Sequence, residues 1–319
     1  MPATTSTATS LPLRPWRGLA EVTLRLAVYA VGAGLALSAF SRGDYVRYAV
    51  LALGSGVWFA GVMSLTHGAL HGRLTGRPWL DAAIARLISW PIAWPIGLYT
   101  LVHHRDHDWT GPPLDDPGRI QPTRGEYARA STLGRWYFRN QIWFDIVVSG
   151  ASGLLQRLLH DVRTRAVTLP GVGRAAAIDV AGILACNAAM VAALWRSGGW
   201  ELVLGGVGVW YAAERGIGFV HQTRFTAEHY RSWRYADARD FRVPPLVGWF
   251  LAHLNLHATH HHHRQVAPFA LPEAAAALVR EGRAPHGGPH ALGYLGEVLA
   301  AHRLARRADF LPDDLETAA

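Results

Sequence analysis

Four stretches of mostly apolar residues set the first limit on this chain, because each approaches the ~20 residues that an α-helix needs to cross a bilayer. They run from Leu19 to Phe40, Tyr48 to Thr66, Ala175 to Trp195 and Trp200 to Val220. The short polar turn "SRGDYVR" joins the first two, and "RSGG" joins the last two, so the pattern predicts two helical hairpins. The 319 residues are 50% hydrophobic and 17% charged, against about 25% charged in ordinary soluble proteins. A mean hydropathy of +0.09 is too low for a chain lying mostly in lipid. It suits membrane spans combined with a substantial aqueous part.

The net charge of +8 comes entirely from arginine, since the sequence has no lysine, a bias that with the Ala and Gly abundance fits a GC-rich genome. The arginines are scattered among tryptophans and apolar runs. With no basic block, anionic headgroups and the positive-inside rule explain them better than nucleic acid does. The arginine-rich tails and middle segment are therefore expected in the cytoplasm with both termini, the chain being integral to a membrane (in a bacterium, the inner one). The single cysteine, Cys186, excludes an intramolecular disulfide framework and a zinc site built from cysteines.

Two further apolar stretches are expected to lie in the membrane plane. "WLDAAIARLISWPIAWPIGLYTLV" contains Pro91 and Pro95 and has histidines on both flanks. "RWYFRNQIWFDIVVSGASGLLQRLLHDVR" mixes aromatics with Arg139, Asp145, Arg157 and Arg163 in an amphipathic way. Asp179, Glu214 and Arg215 lie toward one end of the second hairpin and read as interfacial groups. The expected fold is an all-α membrane protein with four transmembrane helices, in-plane helices and a cytoplasmic histidine-rich cap. Residues 1–18 are expected to form a disordered cytoplasmic tail, without the basic start and small-residue cleavage site of a signal peptide. Residues 19–275 would form the membrane domain and residues 276–319 a cytoplasmic C-terminal tail.

The chain has 17 histidines, and their positions carry the chemistry. "HLNLHATHHHHR", His253 to Arg264, is internal and so not a terminal tag. His67 and His71 follow the second span at i, i+4, which puts two imidazoles on one helix face, about 6 Å apart at Cβ. His103, His104 and His107 fall in "HHRDHDWTG", His221 and His229 in "HQTRFTAEHY", and His257, His260 and His261 in "HATHH". A lone HxxxH pair is weak, and a polyhistidine run can be a metal-buffering loop. Here every group lies just past the cytoplasmic end of a span or between spans, as a single site would require. Imidazole suits Zn, Cu, Fe and Ni. Four ligands would saturate one zinc, whereas this many fit two metals. A dinuclear iron centre can activate O₂ against an unactivated C–H bond, and an apolar, lipid-dissolved substrate would explain the membrane location.

At these residues the sequence resembles the membrane fatty acid desaturase superfamily, which includes related hydroxylases and carotenoid ketolases. The family's HxxxH, HxxHH, single His and HxxHH appear here as "HGALH", "HRDH" with a changed position, "TAEH" and "HATHH". "NLHATHH" looks like the family's "NYHxEHH", with Val266, Phe269 and "LPE" at Leu271 to Glu273 following it, and "WTGPPLDDP" resembles "YTGxxxDP". The likeness covers roughly residues 20 to 275. It implies metal ligands at His67, His71, His103, His107, His229, His257, His260 and His261, and a cofactor of two iron ions. His262 and His263 replace apolar family positions and are expected around the ligands or in solvent, while His253, His286, His290 and His302 fall outside the boxes. Asp106 stands where the family has histidine: it supplies a carboxylate or orients a ligating imidazole, or His104 substitutes, or one metal keeps an open position. The resemblance implies an O₂-dependent oxidoreductase acting on a lipid or acyl chain with electrons from a small donor such as ferredoxin. Desaturation is the first expectation and hydroxylation or ketolation of a lipid or carotenoid the second. A membrane metal carrier is the rival from another class.

Overall fold

In the computed structural model, residues 13–107, 114, 119–164, 170–230, 238–283 and 293–314 are described. "WTGPPLDDP" apart from Leu114, His286, His290 and the first twelve residues lie outside them. The described residues are mostly helix, with no strand and two isolated β-bridges among them. They fall into two compact units. One holds Leu13–Val102 and Gly150–Val220, the other His103–Ser149 and His221–Ala319.

In the first unit, α1 (Pro15–Ser41) and α2 (Tyr45–Leu70) pack together across the turn at Arg42 to Asp44. Pro15 starts α1, where its missing N–H costs no helical hydrogen bond. The Asp44 carboxylate caps α2 by accepting from the Arg47 amide at 3.1 Å. Both helices, and the longer α8 (Val172–His229), are long and apolar enough to cross a membrane. α8 is not one rod. Its backbone leaves helical geometry at Gly198 and Gly199, and Gly199 has φ +65°. A Cβ on Gly206 would lie 2.4 Å from Leu194 Cδ1, whereas twelve residues of straight helix would separate them by about 18 Å. Large apolar side chains such as Val31, Val50, Leu184 and Leu204 face outward on these helices, as lipid contact requires. Small residues face inward: a Cβ on Gly56 would stand 2.1 Å from the Ala212 carbonyl oxygen, so only glycine permits that approach of α2 to α8.

The proline-bearing stretch forms α3 (Pro78–Ser89), a 3₁₀ turn at Trp90–Ile92 and α4 (Ile96–His107). Asp179 holds this bend. Fully buried, it accepts from the Trp90 indole at 3.0 Å and the Leu98 amide at 2.9 Å. Glu214 accepts from the Ser152 amide at 2.9 Å and pairs with Arg215; Ser152 lies in α7 (Gly150–Thr164).

The second unit takes the last turn of α4, the end of α8 and a set of shorter helices. These are α5 (Arg124–Arg129), α6 (Thr132–Trp143) with a π-helical turn at Phe144–Ser149, α9 (Pro245–Phe250), α10 (His257–His262), α11 (Leu271–Arg280) and α12 (Gly293–Arg306). α6 packs on α12 around a core that includes Ile142, Phe241, Val298, Ala301 and Phe310. The stretch read as a C-terminal tail thus includes a packed helix.

Candidate metal centre

The histidine-rich segment is turned and capped from a distance. Ala252 (φ +51°) and His253 (φ +59°) both adopt the left-handed conformation between α9 and α10, a strained arrangement for non-glycine residues. The His253 amide donates to Gly248 O at 2.7 Å, closing that turn. Leu256, just before α10, has no side-chain cap to offer. The buried Asp240 carboxylate supplies it, accepting from the Thr259 amide at 3.0 Å and the Thr259 hydroxyl at 2.5 Å. Negative charge at a helix N-terminus is favourable, and here it fixes the rotation of the helix that carries His257, His260 and His261.

Three imidazoles of this unit meet at one point. His103 and His107, one turn apart on α4, bring their Nε2 atoms to 2.9 Å, and His260 Nε2 lies 3.1 Å from His107 Nε2. A second group forms where His229 ends α8: the ligand atoms of His229, His257 and His261 lie within 4.8 Å of one another, with His257 and His261 Nε2 at 3.2 Å. The groups adjoin, since the His107 and His261 ring centroids are 4.2 Å apart. A ring nitrogen offers one proton or one lone pair, so His107 Nε2 cannot make two good hydrogen bonds to two other Nε2 atoms. A shared cation satisfies all three. Nitrogens about 2.05 Å from an ion stand about 2.9 Å apart at right angles and about 3.3 Å apart in a tetrahedron, the spacing seen here. This donor set fits transition-metal ions.

In the other unit His67 is buried near the end of α2 and His71 follows as its C-cap, with ring centroids 5.3 Å apart. Asp106 and His104 are half-buried on the last turn of α4, and neither belongs to a cluster. His262 is exposed, His263 is buried, and His302 rests against Trp143 with centroids 6.0 Å apart.

Burial holds the His257 pKa well below the ordinary histidine value, and the neighbouring His261, His229 and Arg224 add to this. The ring is therefore neutral, the form that binds metal. Sequence reasoning did not single out the groups behind it. Buried Arg224 and Glu228 and half-buried Tyr294 form a chain in which the Tyr294 hydroxyl donates to Glu228 Oε1 at 2.9 Å and Arg224 Nη1 donates to Oε2 at 2.5 Å. Burial, followed by the Glu228 charge, raises the Tyr294 pKa well above the usual phenol value, so it stays a donor. "TAEH" contains Glu228 and was a usable signal; nothing in the sequence pointed to Tyr294, 66 residues further on.

Helices long and apolar enough to cross a membrane occur in the same chain as histidine groups that could bind metal. The sequence matches the fatty acid desaturase family over residues 45–293, well over half of the chain. The chain belongs to that family. No curated protein matches it in sequence.

Proposed function

We propose that this protein is a membrane-bound di-iron oxidoreductase that desaturates an acyl chain with O₂ and two electrons. The observation that carries this reading is the pair of adjoining imidazole groups, His103, His107, His260 and His229, His257, His261. His67 and His71, on the family's first box, would complete the ligand set at eight. Irons bound there would supply O₂ activation and attack on an unactivated C–H bond. The chain's own residues would hold the ions through imidazole nitrogens, most of them on buried side chains.

The fold-back at Gly198–Gly199 supports two hairpins and four crossings, with α3, α4, α6 and α7 supplying the in-plane helices and the arginine-rich side in the cytoplasm. A net charge of +8 would draw an acidic electron donor such as a ferredoxin to that side. A metal carrier places its ligands at helix breaks near the membrane midplane; the break in α8 carries glycines and no histidine.

Mass spectrometry of lipids from a host expressing the protein tests the reading. Loss of two hydrogens from an acyl chain is expected, and His261→Ala should abolish it. Gain of one oxygen would replace desaturation by hydroxylation, and gain of one oxygen with loss of two hydrogens by ketone formation. Active protein holding only zinc would sink the iron chemistry.

A further inference from the structure

Behind one imidazole of the centre stands a carboxylate whose two oxygens are both held. Glu228 is fully buried on the last turn of α8. Arg224, one turn earlier, donates to Oε2 at 2.5 Å, and Tyr294 on α12 donates to Oε1 at 2.9 Å. The Tyr294 ring is itself fixed, stacked on Phe241 with centroids 4.4 Å apart. The carboxylate so held presents Oε2 3.9 Å from His257 Nδ1. The other nitrogen of that ring, Nε2, faces His261 Nε2 at 3.2 Å.

We infer that Glu228, held by Arg224 and Tyr294, is a positioning residue for His257 and governs how firmly the ion at His229, His257 and His261 is retained. The inference rests on the metal-centre reading proposed above. A metal-bound imidazole commonly gives its second N–H to a carboxylate, which fixes the tautomer and ring orientation and makes the ligand a better donor. At 3.9 Å the pair is beyond hydrogen-bond length. An ion held at Nε2 would make the Nδ1–H a stronger donor, and Oε2 is the acceptor that stands before it. The competing account is a buried ion pair in which Glu228 serves only to neutralise Arg224. That account gives neither a selective effect on one ion nor any dependence on the Tyr294 hydroxyl.

The test uses the full-length protein loaded with cobalt(II), which imidazole sites take up whatever the native metal. Ions per chain are followed during a chelator challenge, with the thermal midpoint of the metal-free protein as the check on folding. Glu228→Gln keeps the side-chain shape and should speed the loss of one ion by about 10–100-fold while the other stays. Tyr294→Phe keeps the stacked ring and should speed loss of the same ion by a smaller factor. In a His257→Ala background, Glu228→Gln should change nothing further. Should Glu228→Gln fold poorly, the Tyr294→Phe result decides: selective loss of one ion supports the inference, and wild-type retention overturns it. Wild-type retention in Glu228→Gln, equal loss of both ions, or an additive effect with His257→Ala would also overturn it. Wild-type protein that takes up cobalt but has no oxygenase activity would fail the functional reading and leave this inference standing. Protein that binds no transition metal would sink both.

Discussion

In the unit built on α1, α2 and α8, buried charged side chains pair with complementary donors and acceptors, although Asp81 Oδ2 has no hydrogen-bond partner among the described residues. Arg25 donates to Gly61 O at 2.8 Å and to Glu21 at 3.2 Å, Asp81 accepts from the Thr75 amide and hydroxyl at 2.9 and 2.6 Å, and Asp179 takes the Trp90 indole and the Leu98 amide. In the histidine-bearing unit, six imidazoles instead turn the same kind of atom toward one another. Burying polar groups costs free energy unless each finds a partner. The first unit meets most of that cost within the chain, whereas the converging imidazole nitrogens of the second would meet theirs with a cation. Buried polarity alone does not mark a site. Convergence of like donors does.

The largest effect should come from His107, the nitrogen shared within its group. His107→Ala is expected to take product below detection and lower bound iron, while the metal-free protein melts no earlier than wild type, because no self-contained hydrogen-bond set is broken. A substantially lower melting point of the metal-free variant would break the comparison. Asp179→Ala should do the reverse. It leaves two buried donors unpaired and should cost about 1–3 kcal/mol of stability, read as a lower melting temperature in detergent, with metal per folded chain unchanged. Lost metal at full stability would place Asp179 functionally with the histidines.

What the sequence disclosed was local. The apolar lengths foreshadowed α1, α2 and the two halves of α8, and "RSGG" marked the break at Gly198 and Gly199, because hydropathy and glycine content act over a few neighbouring residues. The i, i+4 spacing of His67 and His71 likewise foreshadowed neighbouring rings, whose centroids are 5.3 Å apart. Contacts between distant segments were hidden. Asp240 caps α10 from outside the helix, and Tyr294 reaches Glu228 from a stretch that composition presented as a tail. That Asp179 and Glu214 are buried is likewise revealed only by the packing around them. The family assignment drawn from the histidine boxes agrees with the match over residues 45–293.

The smallest expected effect separates two neighbours on α4 and refines what counts as convergence. The helix continues to His107, so His103, Asp106 and His107 fall at i, i+3, i+4 on one face, while His104 is turned about 100° from His103. The imidazole nitrogens gather without the Asp106 carboxylate, which belongs to neither cluster. That favours an orienting role for Asp106 over direct ligation, and such outer groups typically change metal affinity or activity by about 10–100-fold. Asp106→Ala is therefore expected to retain measurable iron and to reduce turnover within that range, with His104→Ala closer to wild type. Asp106→His, which restores the family's residue, should keep iron; a gain in iron retention over wild type would show that the position reaches the metal directly. Iron per chain and product formation, measured on all three variants, decide the matter. A dead His104→Ala beside a fully active Asp106→Ala would mean that the second box is aligned wrongly and that the ligand face of α4 is one residue earlier at that step.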